Sequence, residues 1–276
     1  MTIRNKKYFF KSSSISSEML TSVINFIYEP FNDLNPEIHN DIDLKSIAFR
    51  SASIHTETAL HLVISEIIYT ELYLYLYDDF EPAYCDSEFF EVILKVILQS
   101  GVSIESIPSF FTAEPTLDRL KEKGSADNIH FYLYCLSLLR DQVFAYLWNR
   151  IDFLHEFNLK LAKSLNQIPL NDRIGSKYFT NKGTVKRAYF PKWLVDVIEL
   201  RENGLCYRCK RVVTHPHLEN KEPHLDHLIP LALGGTNDPT NLALSCSSCN
   251  LEKSSKIKEI PDDYAWPEIK PMTPYT

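Results

Sequence analysis

The sequence has no apolar run long enough to cross a membrane. Its most apolar stretch, residues 60–77, is interrupted by Glu66 and Glu71. The first residues are basic and then serine-rich, without the apolar centre of a secretory leader. No segment repeats along the chain. We therefore expect a soluble, cytoplasmic protein with no membrane partner.

Basic residues are also outnumbered by acidic residues. The 276 residues include 29 Lys and Arg against 36 Asp and Glu, a formal net charge of -7. The balance is uneven, because residues 1–186 carry -6, residues 187–258 carry +2 and residues 259–276 carry -3. Phosphate binding normally needs an excess of cations. This composition predicts weak intrinsic DNA affinity, or a partner that supplies the rest.

Apolar and aromatic residues, at 45% and 12%, are sufficient for a large core. Two of the six cysteines, Cys85 and Cys135, lie in helix-like apolar runs. Reduced thiols, as in a cytoplasm, are the expectation for both, and a disulfide between them is the alternative.

The other four cysteines form two C-x-x-C pairs, Cys206/Cys209 and Cys246/Cys249. A spacing of two residues lets both sulfurs of a pair approach one ion at about 2.3 Å. Four thiolates in this pattern predict a closed, tetrahedral, structural Zn²⁺ site. The alternative is that the cysteines are only small buried apolar residues.

Between and after these pairs come Asp226-His227, a Gly234-Gly235 turn, Asn241 and Asn250. This pattern resembles the HNH (ββα-metal) endonuclease family in its zinc-ribbon-supported form. The resemblance covers about residues 192–258. Asn250 departs from the family letters, since many members have a second His there.

The resemblance implies metal-assisted hydrolysis of phosphodiester bonds. His227 would be the general base that takes a proton from water, and Asp226 would hold a catalytic Mg²⁺ or Mn²⁺ ion. Asn241 would brace the hairpin loop that aims His227. Asn250 would be the second ligand of the ion, through its carboxamide oxygen.

Several basic residues near this pattern are candidate nucleic-acid contacts. Lys253 follows Asn250 by three positions, so both are expected on one helix face. A solvated surface explains the remaining basic residues equally well. The candidates are Lys253, Arg208, Lys210, Arg211 and Lys256.

Hydrophobic spacing predicts helices over most of the rest of the chain. Residues 71–77 alternate with period two and also fit a strand, but they continue a helical run, so we favour a helix. Strands are predicted near residues 225–229 and 241–244. The predicted helices cover residues 16–29, one or two helices in 41–80, then 87–100, 117–123, 127–165, 185–203 and 247–258.

Three further groups of residues have both a possible functional role and a possible structural role. His55, Glu57 and His61 are possible metal ligands, but helical ligands prefer a spacing of four, so a structural role is favoured. The tyrosines at 73, 75 and 77 are possible base-stacking residues but are better explained as core or partner-facing surface. Further candidates for a contact with DNA or with the metal are His215, His217 and His224.

The expected fold is a mainly α N-terminal helical domain followed by a small C-terminal α+β HNH module with a structural zinc held by four cysteines. The expected function is DNA cleavage, on double-stranded DNA and with RNA left open, as an effector in bacterial defence or restriction. A protein partner or homo-oligomer would use the helical domain. The alternative is a non-catalytic zinc-ribbon module that binds nucleic acid or protein. The expected segments are an arm (1–15), a helical domain (16–168), a linker (169–184), the nuclease module (185–258) and an extended tail (259–276).

Overall fold

A computed structural model of the chain describes residues 14–28, 42–77, 126–214 and 224–260. The predicted helices at 87–100 and 117–123 lie outside these ranges. The same is true of Cys85, His215 and His217, and of the tail after residue 260.

The N-terminal part of the described chain is helical. The stretch 41–80 holds two helices, and the second includes residues 71–77, so the helical prediction there is confirmed. The segment predicted as one long helix from 127 is broken at Asn149-Arg150. None of the described helices has the length and apolarity needed to cross a membrane. The helices are α1 Ser14–Tyr28, α2 Leu44–Arg50, α3 Ala59–Tyr77, α4 Ala126–Trp148, α5 Ile151–Asn166 and α6 Leu170–Arg173.

One apolar core joins helices α1–α5 to the C-terminal hairpin. Helix α5 buries an apolar stripe that includes Phe153, Phe157 and Leu161, and the same core contains Leu228 and Ala243 from the hairpin. The segment predicted as a linker, 169–184, also contributes, since its Phe179 is buried in this core. The helical part and the C-terminal part are therefore packed together. The boundaries of the domains remain a prediction.

The C-terminal part contains helix α7 (Lys192–Arg201), strands β1 (His224–His227) and β2 (Leu242–Ser245), and helix α8 (Ser247–Lys253). The prediction of a helix from 185 was wrong at its start. Pro191 precedes the first helical residue, and a residue before proline is pushed out of the α region. Val185 instead pairs with Phe179 in an isolated bridge. Helix α8 ends five residues earlier than predicted, where Ser254 adopts a φ of 50°.

A second, smaller core lies under the cysteines. Leu194 and Ile198 of α7 pack there with Leu225 of β1 and Leu244 of β2. Trp193 and Val197 of the same helix are partly exposed. The two-stranded sheet lies between the two cores, since Ala243 belongs to the larger core and its neighbours in β2 to the smaller.

His61 of α3 has a structural role that makes stability depend on pH. Its Nδ1 accepts a hydrogen bond from the Thr58 N–H at 3.2 Å, and its ring stacks on Phe144 with a centroid separation of 3.6 Å. Burial, with a contribution from Arg140, lowers the pKa of His61 from 6.5 to about 4. A protonated Nδ1 could not accept the Thr58 hydrogen bond. The ring must therefore stay neutral in the folded protein.

We expect His61→Gln to reduce the loss of stability on acidification. The unfolded chain binds this proton near pH 6.5 and the folded chain only near pH 4, so stability present above 6.5 is lost as the pH falls across that window. Allowing for partial exposure, His61 should account for about 1 kcal/mol of the loss between about pH 7 and 5. Urea unfolding at both pH values measures it, with His55→Gln as the control. An unchanged pH slope in His61→Gln would contradict this expectation.

Candidate active site and zinc centre

The four cysteines meet at one point, although they come from two separate parts of the chain. Cys206 and Cys209 lie in the turn after α7, Cys246 caps α8, and Cys249 lies in its first turn. All four are free thiols with sulfur atoms within 4.8 Å of one another, and the Cys209 and Cys246 sulfurs are 3.7 Å apart. Tetrahedral zinc with Zn–S bonds of about 2.3 Å separates its sulfurs by about 3.8 Å. The donor set therefore fits zinc. Among the described residues, this is the only such cluster of potential metal ligands.

The hairpin places Asp226 and His227 at the junction with the helical part. Strands β1 and β2 are antiparallel, with Asp226 opposite Ala243 and His227 opposite Leu242. Both polar side chains are nearly enclosed, at 8% and 5% exposure. A buried carboxylate and a buried imidazole are costly unless each has polar partners. Their partners therefore define the site.

The partners of Asp226 are Lys253 and Tyr207. The Lys253 ammonium lies 3.2 Å from Oδ1 and 3.0 Å from Oδ2, and the Tyr207 hydroxyl donates to Oδ2 at 3.2 Å. Burial raises the pKa of Tyr207, so its hydroxyl remains a donor. Burial lowers the pKa of Lys253, and Asp226 opposes this shift. Asp226 is thus a buried carboxylate neutralised by a buried cation.

The position of Lys253 differs from the surface phosphate contact expected from the sequence. Its side chain is 1% exposed, and its ammonium also donates to the carbonyl of His227. An ammonium enclosed this deeply needs a carboxylate, and Asp226 provides one. Asn250, one turn earlier in α8, is half-buried, and its side chain makes no hydrogen bond within the described residues.

The donors available to a divalent ion at this site are oxygen atoms. A carboxylate has about four lone-pair directions, and Lys253 and Tyr207 use three of those of Asp226. The remaining direction and the carboxamide oxygen of Asn250 are hard ligands of the type that Mg²⁺ and Mn²⁺ prefer. The donor types of Asp226 and Asn250 fit such an ion, while the Lys253 ammonium already neutralises the carboxylate.

His227 is held by Asn237, a residue that the sequence analysis missed. The Nε2 atom of His227 lies 3.3 Å from Oδ1 of Asn237. The orientation of the Asn237 amide is fixed because its Nδ2 donates to the carbonyls of Ala52, at 2.9 Å, and Lys186, at 2.7 Å. Its Oδ1 therefore faces His227 and accepts. The proton of the imidazole is assigned to Nε2, which leaves Nδ1 as the basic nitrogen.

The imidazole of His227 is neutral at neutral pH. Its pKa is lowered from 6.5 to about 4, mainly by burial. The charges of Arg187 and Lys253 also lower this pKa, and the hydrogen bond to Asn237 opposes the shift. The ring also lies beside Phe190, with a centroid separation of 5.8 Å. A neutral ring with one free nitrogen is the form that a general base requires.

Asn241 ties together the loop that connects the two strands. Its Oδ1 accepts from the Ile229 N–H at 2.8 Å, and its Nδ2 donates to the carbonyls of Ile229 and Thr236. The Gly234-Gly235 turn lies inside this loop. Gly234 has a φ of 95°, and a Cβ atom on Gly235 would lie 1.9 Å from the Ile229 carbonyl oxygen, so neither position accepts a side chain without strain.

Asp238 is a second residue that the sequence analysis missed. Its Oδ2 accepts from the N–H of Ala59, the first residue of α3, at 2.7 Å, and its Oδ1 accepts from the N–H of Thr240 at 3.0 Å. One buried carboxylate therefore caps a helix of the N-terminal part and a short 3₁₀ turn of the hairpin loop. Burial raises the pKa of Asp238, and these hydrogen bonds oppose the shift. The Asp-Pro-Thr sequence is a helix-capping signal and is the local feature from which the role of Asp238 could have been predicted.

The other basic candidates surround the zinc centre. Lys210, Arg211 and Lys256 are exposed. Arg208 is half-buried, and its Nε and Nη1 atoms are enclosed without a hydrogen bond in the described part of the chain. His224, at the start of β1, is half-buried.

A hairpin that presents a buried Asp-His pair, followed by a helix with a cysteine cluster at its base, defines a zinc-supported ββα module. Residues 206–256 match the family model of HNH endonuclease. No curated protein and no solved structure matches the chain significantly. Over residues 206–256 the chain is therefore similar to the HNH endonuclease module.

Proposed function

We propose that this chain is an HNH endonuclease that hydrolyses phosphodiester bonds of DNA with the help of Mg²⁺ or Mn²⁺. The observation that carries the proposal is the neutral, buried His227, held through Nε2 by Asn237 beside the carboxylate of Asp226. A structural zinc module has no need of a buried imidazole in a fixed tautomer. A general base does need one.

In the proposed reaction, Nδ1 of His227 takes a proton from a water molecule as its oxygen attacks the phosphorus. The bond from phosphorus to the 3′ oxygen breaks, and the leaving oxygen takes a proton from solvent, which leaves a 5′-phosphate and a 3′-hydroxyl. Asn237 keeps the imidazole in the required tautomer, and Asn241 keeps the loop in shape around it. The proton then leaves His227 for solvent.

Asp226 and Asn250 would hold the divalent ion. When bound, the ion would polarise the scissile phosphate and stabilise the charge of the leaving oxygen. Lys253 neutralises Asp226 in the structure, so the carboxylate would share its charge between the ammonium and the ion. The side chain of Asn250 has no competing hydrogen bond within the described residues, which leaves its oxygen available.

The net charge of -7 supports a nuclease that depends on a protein partner or on its own oligomer for full DNA affinity. We assign that role to the helical N-terminal part. An effector of bacterial defence or restriction fits this arrangement by association alone. The second candidate function, a zinc ribbon without catalysis, is supported by the Asp226–Lys253 ion pair, because an ammonium already neutralises the carboxylate.

Cleavage of supercoiled plasmid by the purified protein tests the proposal. We expect nicked or linear products with Mg²⁺ or Mn²⁺ and intact plasmid without added divalent ion. DNA ligase should reseal the nicks directly, since ligation requires a 5′-phosphate beside a 3′-hydroxyl. Ligation-resistant ends would contradict the mechanism. Intact plasmid with both metals, also in the presence of a candidate partner, would favour the non-catalytic module.

A further inference from the structure

A cleft of about 410 Å³ opens beside the site, and all of its lining residues except Asn237 lie outside the segment that matches the nuclease family. One wall is the connector between α2 and α3, at residues 52–54. The other wall comes from residues 177–178 and 186–189, ahead of α7. Asn237 lines the cleft and hydrogen-bonds His227, so one residue connects the cleft with the proposed base.

The charge of this cleft is of one sign. Lys177, Lys186 and Arg187 line it, and no aspartate or glutamate does. None of the three forms an ion pair with a carboxylate of the described residues. Their side chains interact instead with carbonyls and rings, as when Lys186 donates to the Lys177 carbonyl at 3.2 Å. In a chain of net charge -7, three unneutralised cations in one cleft point to an anionic ligand.

The aromatic residues of the cleft are unusually exposed. Tyr189 is 91% exposed, and Tyr178 is 36% exposed with the Lys177 ammonium 4.9 Å from its ring centroid. A tyrosine so exposed contributes little to the core. Aromatic rings next to lysines are the arrangement that binds single nucleic-acid strands, because bases stack on rings and phosphates pair with ammonium groups.

Arg187 connects the cleft to the hairpin. Its Nη2 donates to the carbonyl of Leu225, the residue before Asp226, at 2.9 Å, and its guanidinium lies 5.3 Å from the ring centroid of Phe190. Phe190 in turn lies against His227. The cationic wall of the cleft is thus fixed to the same strand that carries the catalytic pair.

We propose that this cleft binds the nucleic-acid strand next to the bond that is cut, with phosphates on Lys177 and Lys186 and an unpaired base on Tyr189. The proposal rests on the proposed nuclease function and assigns the strand a path through the cleft, along residues 177–178 and 186–189. The exposed cations around the zinc centre are not needed for this contact.

Fluorescence anisotropy with a labelled single-stranded 20-mer DNA tests the proposal without cleavage, in the His227→Ala background and without added divalent ion. Lys177→Gln with Lys186→Gln should weaken binding about tenfold or more and lower the slope of log affinity against log salt by about 1.4, or about 0.7 for each lost phosphate contact. Lys182→Gln is the matched control, since Lys182 is exposed on the same segment but does not line the cleft. Lys182→Gln should weaken binding no more than the loss of any single surface charge away from the cleft.

Variants of Tyr189 distinguish the contribution of base stacking to binding from that of charge. Tyr189→Ala should weaken binding about tenfold with an unchanged salt slope, and Tyr189→Phe should bind as the parent does. Zinc content and thermal melting confirm the fold of each variant. Binding by the lysine pair variant that equals Lys182→Gln would overturn the proposal, as would equal binding by Tyr189→Ala and Tyr189→Phe. Plasmid cleavage by the wild-type protein is measured separately, so failure of the nuclease function is distinguishable from failure of this path.

Discussion

Replacing His227 with alanine is expected to lower the rate of DNA cleavage by about 10²–10⁴-fold at saturating metal. The imidazole is neutral because burial lowers its pKa to about 4, so at neutral pH it is fully available as a base. Alanine cannot accept the proton of the attacking water. The divalent ion and the bound strand would still support a slow residual reaction.

Single-turnover cleavage of plasmid measures this effect, because it separates the chemical step from product release. His55→Ala is the matched control, since His55 interacts with Ser53 in the helical part, and we expect it to retain the wild-type rate. His227→Ala should keep its zinc and its melting temperature to within a few degrees. Equal rates for His227→Ala and the wild type would mean that the activity comes from another site or another protein.

Removing the zinc is expected to unfold the C-terminal module and to abolish cleavage. The four sulfurs lie within 4.8 Å of one another, so one ion would join the Cys206 turn to α8. A structural zinc of this type contributes about 10–16 kcal/mol, more than the stability of most domains. Without the ion, four thiols would remain in a site arranged for thiolates.

Cys246→Ser tests this expectation, because serine keeps the size of the side chain and loses the soft ligand. We expect zinc content to fall from one per chain toward zero, and the melting transition to shift down or disappear. Cys135→Ser, outside the cluster, should keep one zinc per chain. Excess Mg²⁺ should not rescue Cys246→Ser. A stable, active Cys246→Ser without zinc would show that the cluster does not hold the fold.

The parts of the site that the sequence predicted are those with a local signal. The two cysteines of each pair lie within four residues of the chain, and Asp226-His227 is a dipeptide. The four-cysteine cluster was therefore predicted, and the arrangement of the sulfurs confirms it. The two strands and the start of α8 also follow from short apolar runs bounded by turn residues.

The features that the sequence did not predict depend on long-range pairing. Asn237 and Ala52 are 185 residues apart, and no local sequence pattern predicts their hydrogen bond. Lys253 fits the polar face of a helix by its spacing, but the burial of that face is decided by where α8 packs on β1. The wrong start of α7 is different, since Pro191 was visible and should have taken precedence over the apolar periodicity.

The hydrogen bonds of Asn237 and Asp238 have a consequence for how this protein can vary. The loop of the hairpin takes its shape partly from hydrogen bonds to Ala52 and Ala59. The orientation of the His227 imidazole therefore depends on residues in both parts of the chain. A nuclease module transplanted alone would leave the apolar face of Leu228 and Ala243 uncovered and the amide of Asn237 free to rotate. Residues 206–256, which match the family model, are therefore fewer than the residues that hold this site in shape.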